Sequence, residues 1–135
     1  MYRPRAMQAD AQTREEILLA LGEFRAAISQ RRIEGVLALF APDADATLMG
    51  SSLGEIARGP IELRRFLETI FAEPQAIGWE WDDVSISLAG DVAWLWLEGA
   101  YTRDGVSQGA YRISGVLERR QGRWLWSLFH GSEPR

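Results

Sequence analysis

The sequence predicts an α+β domain, with amphipathic helices in its first half and a strongly curved antiparallel β-meander in its second. Apolar residues recur at three- and four-residue steps up to Ile70, and from Trp79 onward the period changes to two. Turn signals at Ala89-Gly90-Asp91, Asp104-Gly105 and Gln121-Gly122 divide that second half into four strands. At 135 residues, with 47% hydrophobic and 25% charged side chains, the chain suits one globular domain with a sizeable core. No repeat or low-complexity tract interrupts it.

Residues 1–12 read as a loose arm and 13–135 as the single domain. The arm carries Arg3 and Arg5 but no apolar run followed by a small-residue cleavage site, so the expectation is that it is not a secretory signal. Thr13 and Glu16 fit a capping box, placing a helix start there, and Ile17, Leu18, Leu21, Phe24 and Ile28 form its buried stripe. A second helix spans Ile33 to Phe40 and stops at Pro42, and Ala46 to Met49 suits a short strand. Gly59 and Pro60 read as the N-cap and first residue of a third helix, which buries Leu63, Phe66, Leu67 and Ile70 and ends near Glu73.

Composition removes many chemistries. The net charge is −4, and all 15 basic residues are arginine, so nucleic acid is not an expected partner and no lysine chemistry is possible. The absence of cysteine excludes thiol nucleophiles, disulfides and iron–sulfur ligation. A single histidine, His130, excludes every two-histidine metal motif, and the Asp82-Asp83 pair alone makes a poor metal site. No cofactor or metal is expected. No stretch approaches the length of a membrane span, so the expectation is a soluble, cytoplasmic protein.

Several local strings, in order, resemble the SnoaL-like branch of the nuclear transport factor 2-like superfamily, which includes ketosteroid isomerase. They are Leu39-Phe40-Ala41-Pro42-Asp43-Ala44, then Gly50-Ser51-Ser52-Leu53-Gly54-Glu55 leading into Gly59. Gly90-Asp91-Val92-Ala93-Trp94, Gly122-Arg123-Trp124 and Phe129-His130-Gly131-Ser132 follow. The resemblance, covering about Thr13 to Pro134, implies a cone-shaped sheet, mixed or antiparallel, wrapped around three helices, with an internal ligand pocket and dimers formed through the outer sheet face. It also implies isomerase, dehydratase, cyclase or noncatalytic roles, among which fold alone cannot choose. Gly50 stands where the proton-abstracting aspartate of ketosteroid isomerase would be, which disfavours steroid-type isomerisation.

Register then selects the candidate site. With two-residue turns at Asp104-Gly105 and Gln121-Gly122, Glu98 faces Tyr111 and Ile113 faces His130, on one surface with Trp94, Trp96, Leu117, Trp124, Trp126 and Leu128. An acid, a phenol and an imidazole converging among indoles would suit proton transfer, with His130 and Glu98 as acid and base and Tyr111 orienting an oxygen. Trp79, Trp94, Trp96, Arg112, Ser132 and Glu55 are the candidate ligand-binding residues. Each has a plain structural alternative. A three-residue bulged turn at Arg103 to Gly105 would pair Glu98 with Arg112 instead, and Trp124 and Trp126 read as core mass. In the tight-turn register Ser114, Val116, Leu125, Ser127 and Phe129 form the outer face. The resulting expectation is a homodimer binding a small hydrophobic organic ligand, and either a cofactor-free isomerase, lyase or cyclase or a noncatalytic sensor or assembly module.

Overall fold

The computed structural model describes residues 8–134. Three helices, α1 (Ala11–Ser29), α2 (Ile33–Leu37) and α3 (Gly59–Phe71), accompany strands β1 (Thr47–Met49), β2 (Ile56–Arg58), β3 (Ile77–Trp81), β4 (Ser85–Ala89), β5 (Val92–Arg103), β6 (Val106–Arg120) and β7 (Arg123–Ser132). The seven strands form one mixed sheet in the order β2-β1-β7-β6-β5-β3, with β4 also pairing β5. Among the described strands only β1 and β7 pair in parallel, and an isolated parallel bridge joins Phe40 to Trp126.

Helix α1 begins earlier than the Thr13 capping box suggests. Asp10 is the N-cap, and its carboxylate accepts from the Thr13 backbone N–H at 2.8 Å and the Thr13 hydroxyl at 2.9 Å. Of the predicted stripe Ile17, Leu21, Phe24 and Ile28 are each at most 2% exposed, Leu18 is half-buried, and Ala27, outside the predicted set, joins the buried face. At about 1.5–3 kcal/mol per fully buried large aliphatic or Phe side chain, this face is the main reason α1 stays docked. Phe24 is its aromatic hub, stacked on Trp79 at 5.7 Å and tilted against Trp126 at 5.5 Å and Phe129 at 5.1 Å.

Helix α2 is shorter than expected, ending at Leu37 before a turn into Phe40. Arg58, rather than Gly59, caps α3, and the Glu62 carboxylate accepts the Arg58 backbone N–H at 3.1 Å. The first predicted strand of the meander is two strands, because the chain leaves the β5 edge at Asp82 and Asp83 and rejoins it at Ser85. Strand β2 lay unrecognised in the glycine-rich segment. Residues 1–7 of the expected arm lie outside the described residues, but Gln8 bridges to Ser87 and so is tied to the sheet.

Both hairpin turns are two residues long, with positive φ at Asp104, Gly105, Gln121 and Gly122 as type I′ turns require. Each hairpin then contains a bulge. Thr102 pairs Ser107 but Tyr101 pairs Gly109, leaving Gln108 unpaired. Leu117 pairs Trp126 but Val116 pairs Leu128, leaving Ser127 unpaired, with its hydroxyl donating to the Val116 carbonyl at 3.2 Å. A one-residue shift exchanges the cross-strand partners beyond each bulge.

The two faces are therefore distinct. Ala57, Leu48, Phe129, Gly115, Leu95 and Ile86 make a buried row across the concave side. Ile56, Met49, His130, Ser114, Trp96 and Ser85 make the matching row on the convex side, none of them buried.

Candidate concave binding site

A cavity of about 300 Å³ opens between the concave sheet, α3 and the Gly50–Glu55 loop. Its apolar wall comes from Ile28, Leu48, Phe66, Ile70, Ile77, Trp79, Tyr101, Tyr111 and Phe129, and its polar groups are Ser51, Ser52, Glu55, Glu73, Arg103 and Glu133. An aromatic cleft with a few aimed polar groups is the usual form of a small-molecule site.

Tyr111 sits between Trp79 and Tyr101, with ring centroids 6.0 Å and 5.8 Å away, and is 8% exposed. Its ring lies across Gly131: a Cβ built there would stand 2.1 Å from the Tyr111 hydroxyl. Glycine at 131 is thus what lets the phenol reach across β7 toward the loop. Burial pushes the Tyr111 pKa above 10.0; the Ser51 hydroxyl beside it opposes the shift, and the negative charges of Glu55 and Glu133 add to it. The phenol is accordingly neutral at pH 7 and able to donate.

Glu55 is fixed by its own loop. The Gly50 backbone N–H donates to the Glu55 carbonyl at 2.8 Å, and the Ser52 N–H donates to Glu55 Oε1 at 2.7 Å. The carboxylate folds back over Gly50, where an added Cβ would meet Oε1 at 2.8 Å. A carboxylate from position 55 therefore fills the space a side chain at position 50 would enter. Across the mouth, the Ser51 hydroxyl donates to Glu133 Oε2 at 2.9 Å, tying the loop to the C-terminal segment.

Of the sequence-predicted site residues, Tyr111, Trp79 and Glu55 line this cavity. The others do not join them. Beyond the Gln108 bulge Glu98 pairs with Arg112, whose Nε donates to Glu98 Oε2 at 3.2 Å on the exposed side, and Tyr111 pairs with Gly99. The expected Glu98–Tyr111 pairing is thus replaced by the Arg112 pairing, although the turn itself is the tight one. Beyond the Ser127 bulge His130 pairs with Ser114 instead of Ile113. His130 is flanked in sequence by buried Phe129 and Gly131 and lies on the convex face, next to Met49 of β1. Trp94 and Trp96, 38% and 57% exposed, share that face, and Ser132 pairs with Arg112 there. Leu125 and Phe129, expected on the outer face, are buried, whereas Trp124 and Trp126 are core residues as read from the sequence.

Sequence reasoning missed Ser51, Tyr101, Arg103, Phe129 and Glu133. A signal existed for two of them: Tyr101 and Arg103 continue the alternation of Ala93, Leu95 and Leu97, the buried side of β5. Ser51 and Glu133 come from loop and terminal segments that periodicity does not position.

No helix among the described residues is long and apolar enough to cross a membrane. No curated protein matches the sequence. Among solved structures, a cystatin-like-fold protein of unknown function from Nostoc punctiforme is 21% identical, with 95% of this chain and 96% of that one covered at a TM-score of 0.78. An NTF2-like protein of unknown function from Pseudomonas putida is 19% identical, covering 93% of this chain and 89% of that one at 0.78. An NTF2-like family protein from Streptomyces avermitilis, whose name proposes a dehydratase, is 20% identical, covering 93% and 99% at 0.76. These likenesses establish the NTF2-like fold. The family model for the SnoaL-like domain matches residues 17–135, and with nearly the whole chain inside that match the protein belongs to the SnoaL-like family.

Proposed function

We propose that this SnoaL-like protein binds a small, largely hydrophobic organic molecule in the concave cavity and acts on it without a cofactor by proton transfer. The observation that carries the reading is the Glu55 carboxylate held over Gly50 at the edge of an aromatic cavity that also contains the neutral Tyr111 phenol. Glu55 would take a proton from the bound molecule, and Tyr111 would donate to the oxygen on which negative charge develops. Isomerisation, dehydration by the carbanion route and aldol-type cyclisation each begin with such a step. His130 and Glu98, the pair suggested by the sequence, have no part in this proposal because both lie on the opposite side of the sheet.

The test is solvent-deuterium exchange into the molecule recovered from the purified protein. Glu55→Gln slows exchange by about 10²- to 10⁴-fold with affinity within about tenfold, while His130→Gln leaves the rate unchanged. Exchange abolished by His130→Gln and retained by Glu55→Gln would return the chemistry to the convex face.

A noncatalytic assembly role is the second reading, favoured by the exposure of Trp96 at 57%, Ile56 at 58% and Trp94 at 38% on one continuous face. That face suits a second copy of the chain, giving a cytoplasmic homodimer in which His130 lies within the interface. Trp96→Arg then converts the dimer to monomer in sedimentation velocity with little loss of monomer stability; an unchanged sedimentation coefficient in wild type and variant would remove this interface.

A further inference from the structure

The charges lining the cavity do not balance. Away from it, Glu34, Asp43, Asp91, Glu98 and Glu118 each pair with an arginine, while other carboxylates, Glu62 and Glu68 among them, pair with none among the described residues. Glu55, Glu73 and Glu133, the three carboxylates lining the cavity, pair with none among the described residues. Among the described residues Glu55 accepts from a backbone N–H and Glu133 from a serine hydroxyl, contacts that hold the side chains without cancelling their charge. Among the described residues Arg103 is the single cation lining the cavity, against three carboxylates. The same wall presents Trp79, Tyr101 and Tyr111, rings whose faces attract cations. The described lining is thus both aromatic and negative in balance.

We propose that the molecule taken by this cavity is an organic cation: a compact apolar body carrying an ammonium group or a protonated ring nitrogen. The cation faces the aromatic wall while Glu55 and Glu133 supply the counter-charge, and the apolar body lies toward Leu48 and Phe129. The inference rests on the concave cavity being the binding site. An anionic ligand would face three carboxylates with only Arg103 in its favour, and a neutral one would leave the excess charge unused. The upward shift that Glu55 and Glu133 add to the Tyr111 phenol agrees, since it reports their negative field inside the cavity.

Three probes of similar shape decide it: benzylammonium, benzyl alcohol and benzoate, each titrated into the full-length protein at pH 7 and followed by NMR. Benzylammonium binds about tenfold or more tighter than benzyl alcohol, with benzoate weakest, and the shifts centre on Trp79 and Tyr101. The Glu55→Gln, Glu133→Gln double variant brings benzylammonium down to the level of the alcohol. Equal affinity of ammonium and alcohol in the wild type would overturn the charge preference while leaving the cavity as the binding site. Benzoate binding tightest would overturn it in favour of Arg103. No shift at Trp79 or Tyr101 with any probe would overturn both the preference and the site.

Discussion

Substituting Gly131 by alanine tests whether Tyr111 sits where the site requires. In an ordinary strand position this change is neutral or stabilising by about 0.5–1 kcal/mol, because alanine has less unfolded-chain entropy to lose. At position 131 the new Cβ would stand 2.1 Å from the Tyr111 hydroxyl, 2.7 Å from Cζ and 2.8 Å from Cε2. Carbon contacts are comfortable only at about 3.5–4 Å, so the ring or β7 must move by about 1 Å. Overpacking costs about 1–3 kcal/mol, and contacts this short put it near the top of that range, so about 2 kcal/mol remains after the entropy gain. For a chain of this size the melting temperature falls by about 6–8 °C. Urea denaturation of Gly131→Ala, Tyr111→Phe and the double variant forms the assay. Removing the hydroxyl relieves the shortest contact but not the ring-carbon ones, so the double variant is more stable than the sum of the singles by about 0.5–1.5 kcal/mol. A Gly131→Ala protein as stable as wild type, with additive effects, would refute this placement of the phenol.

Two pH responses follow from the same geometry. The Arg120 guanidinium holds the Asp43 carboxyl below its ordinary 3.8, and the Thr13 backbone N–H and hydroxyl do the same for Asp10. Both contribute stability present above pH 3.8 and lost as the pH falls through the lowered values. The acid limb of the thermal stability profile is therefore shallower in Asp43→Asn and Asp10→Asn, and a limb identical to wild type would contradict it. At the alkaline end, the raised Tyr111 pKa contributes stability that is complete below pH 10.0 and lost as the pH rises through the higher folded value. Ultraviolet titration shows three ionising phenols in the wild type and two in Tyr111→Phe, the missing step lying above pH 10.0; an unchanged curve above pH 10.0 in the variant would contradict the assignment.

What the sequence conveyed well was whatever depends on local period and turn chemistry. The apolar stripe of α1, the helix opening at Gly59-Pro60, the Asp104-Gly105 and Gln121-Gly122 turns and the core positions of Trp124 and Trp126 follow from spacing and residue type alone. The strings around Pro42, Gly50 and Gly131 carried the family. Site composition was lost at two single residues. Gln108 and Ser127 are unpaired bulge positions, and neither has a sequence mark that separates it from an ordinary strand residue. Each changes register after a correctly read turn, and together they leave Glu98, Trp94, Trp96 and His130 on the convex side. Tyr111, Trp79 and Glu55 survive as cavity residues. The Glu55–Gly50 contact needs the tertiary fold of a loop whose backbone hydrogen bonds no periodicity reports.

The proposal places the ligand in the concave cavity and not on the convex face. Native mass spectrometry of the purified protein, followed by denaturing extraction, tests it most directly. A defined organic mass is expected in wild type, His130→Gln and Glu98→Gln alike, and is expected to be lost from Gly131→Ala, in which the displaced phenol disturbs the cavity. The same mass retained by Gly131→Ala and absent from His130→Gln would contradict it.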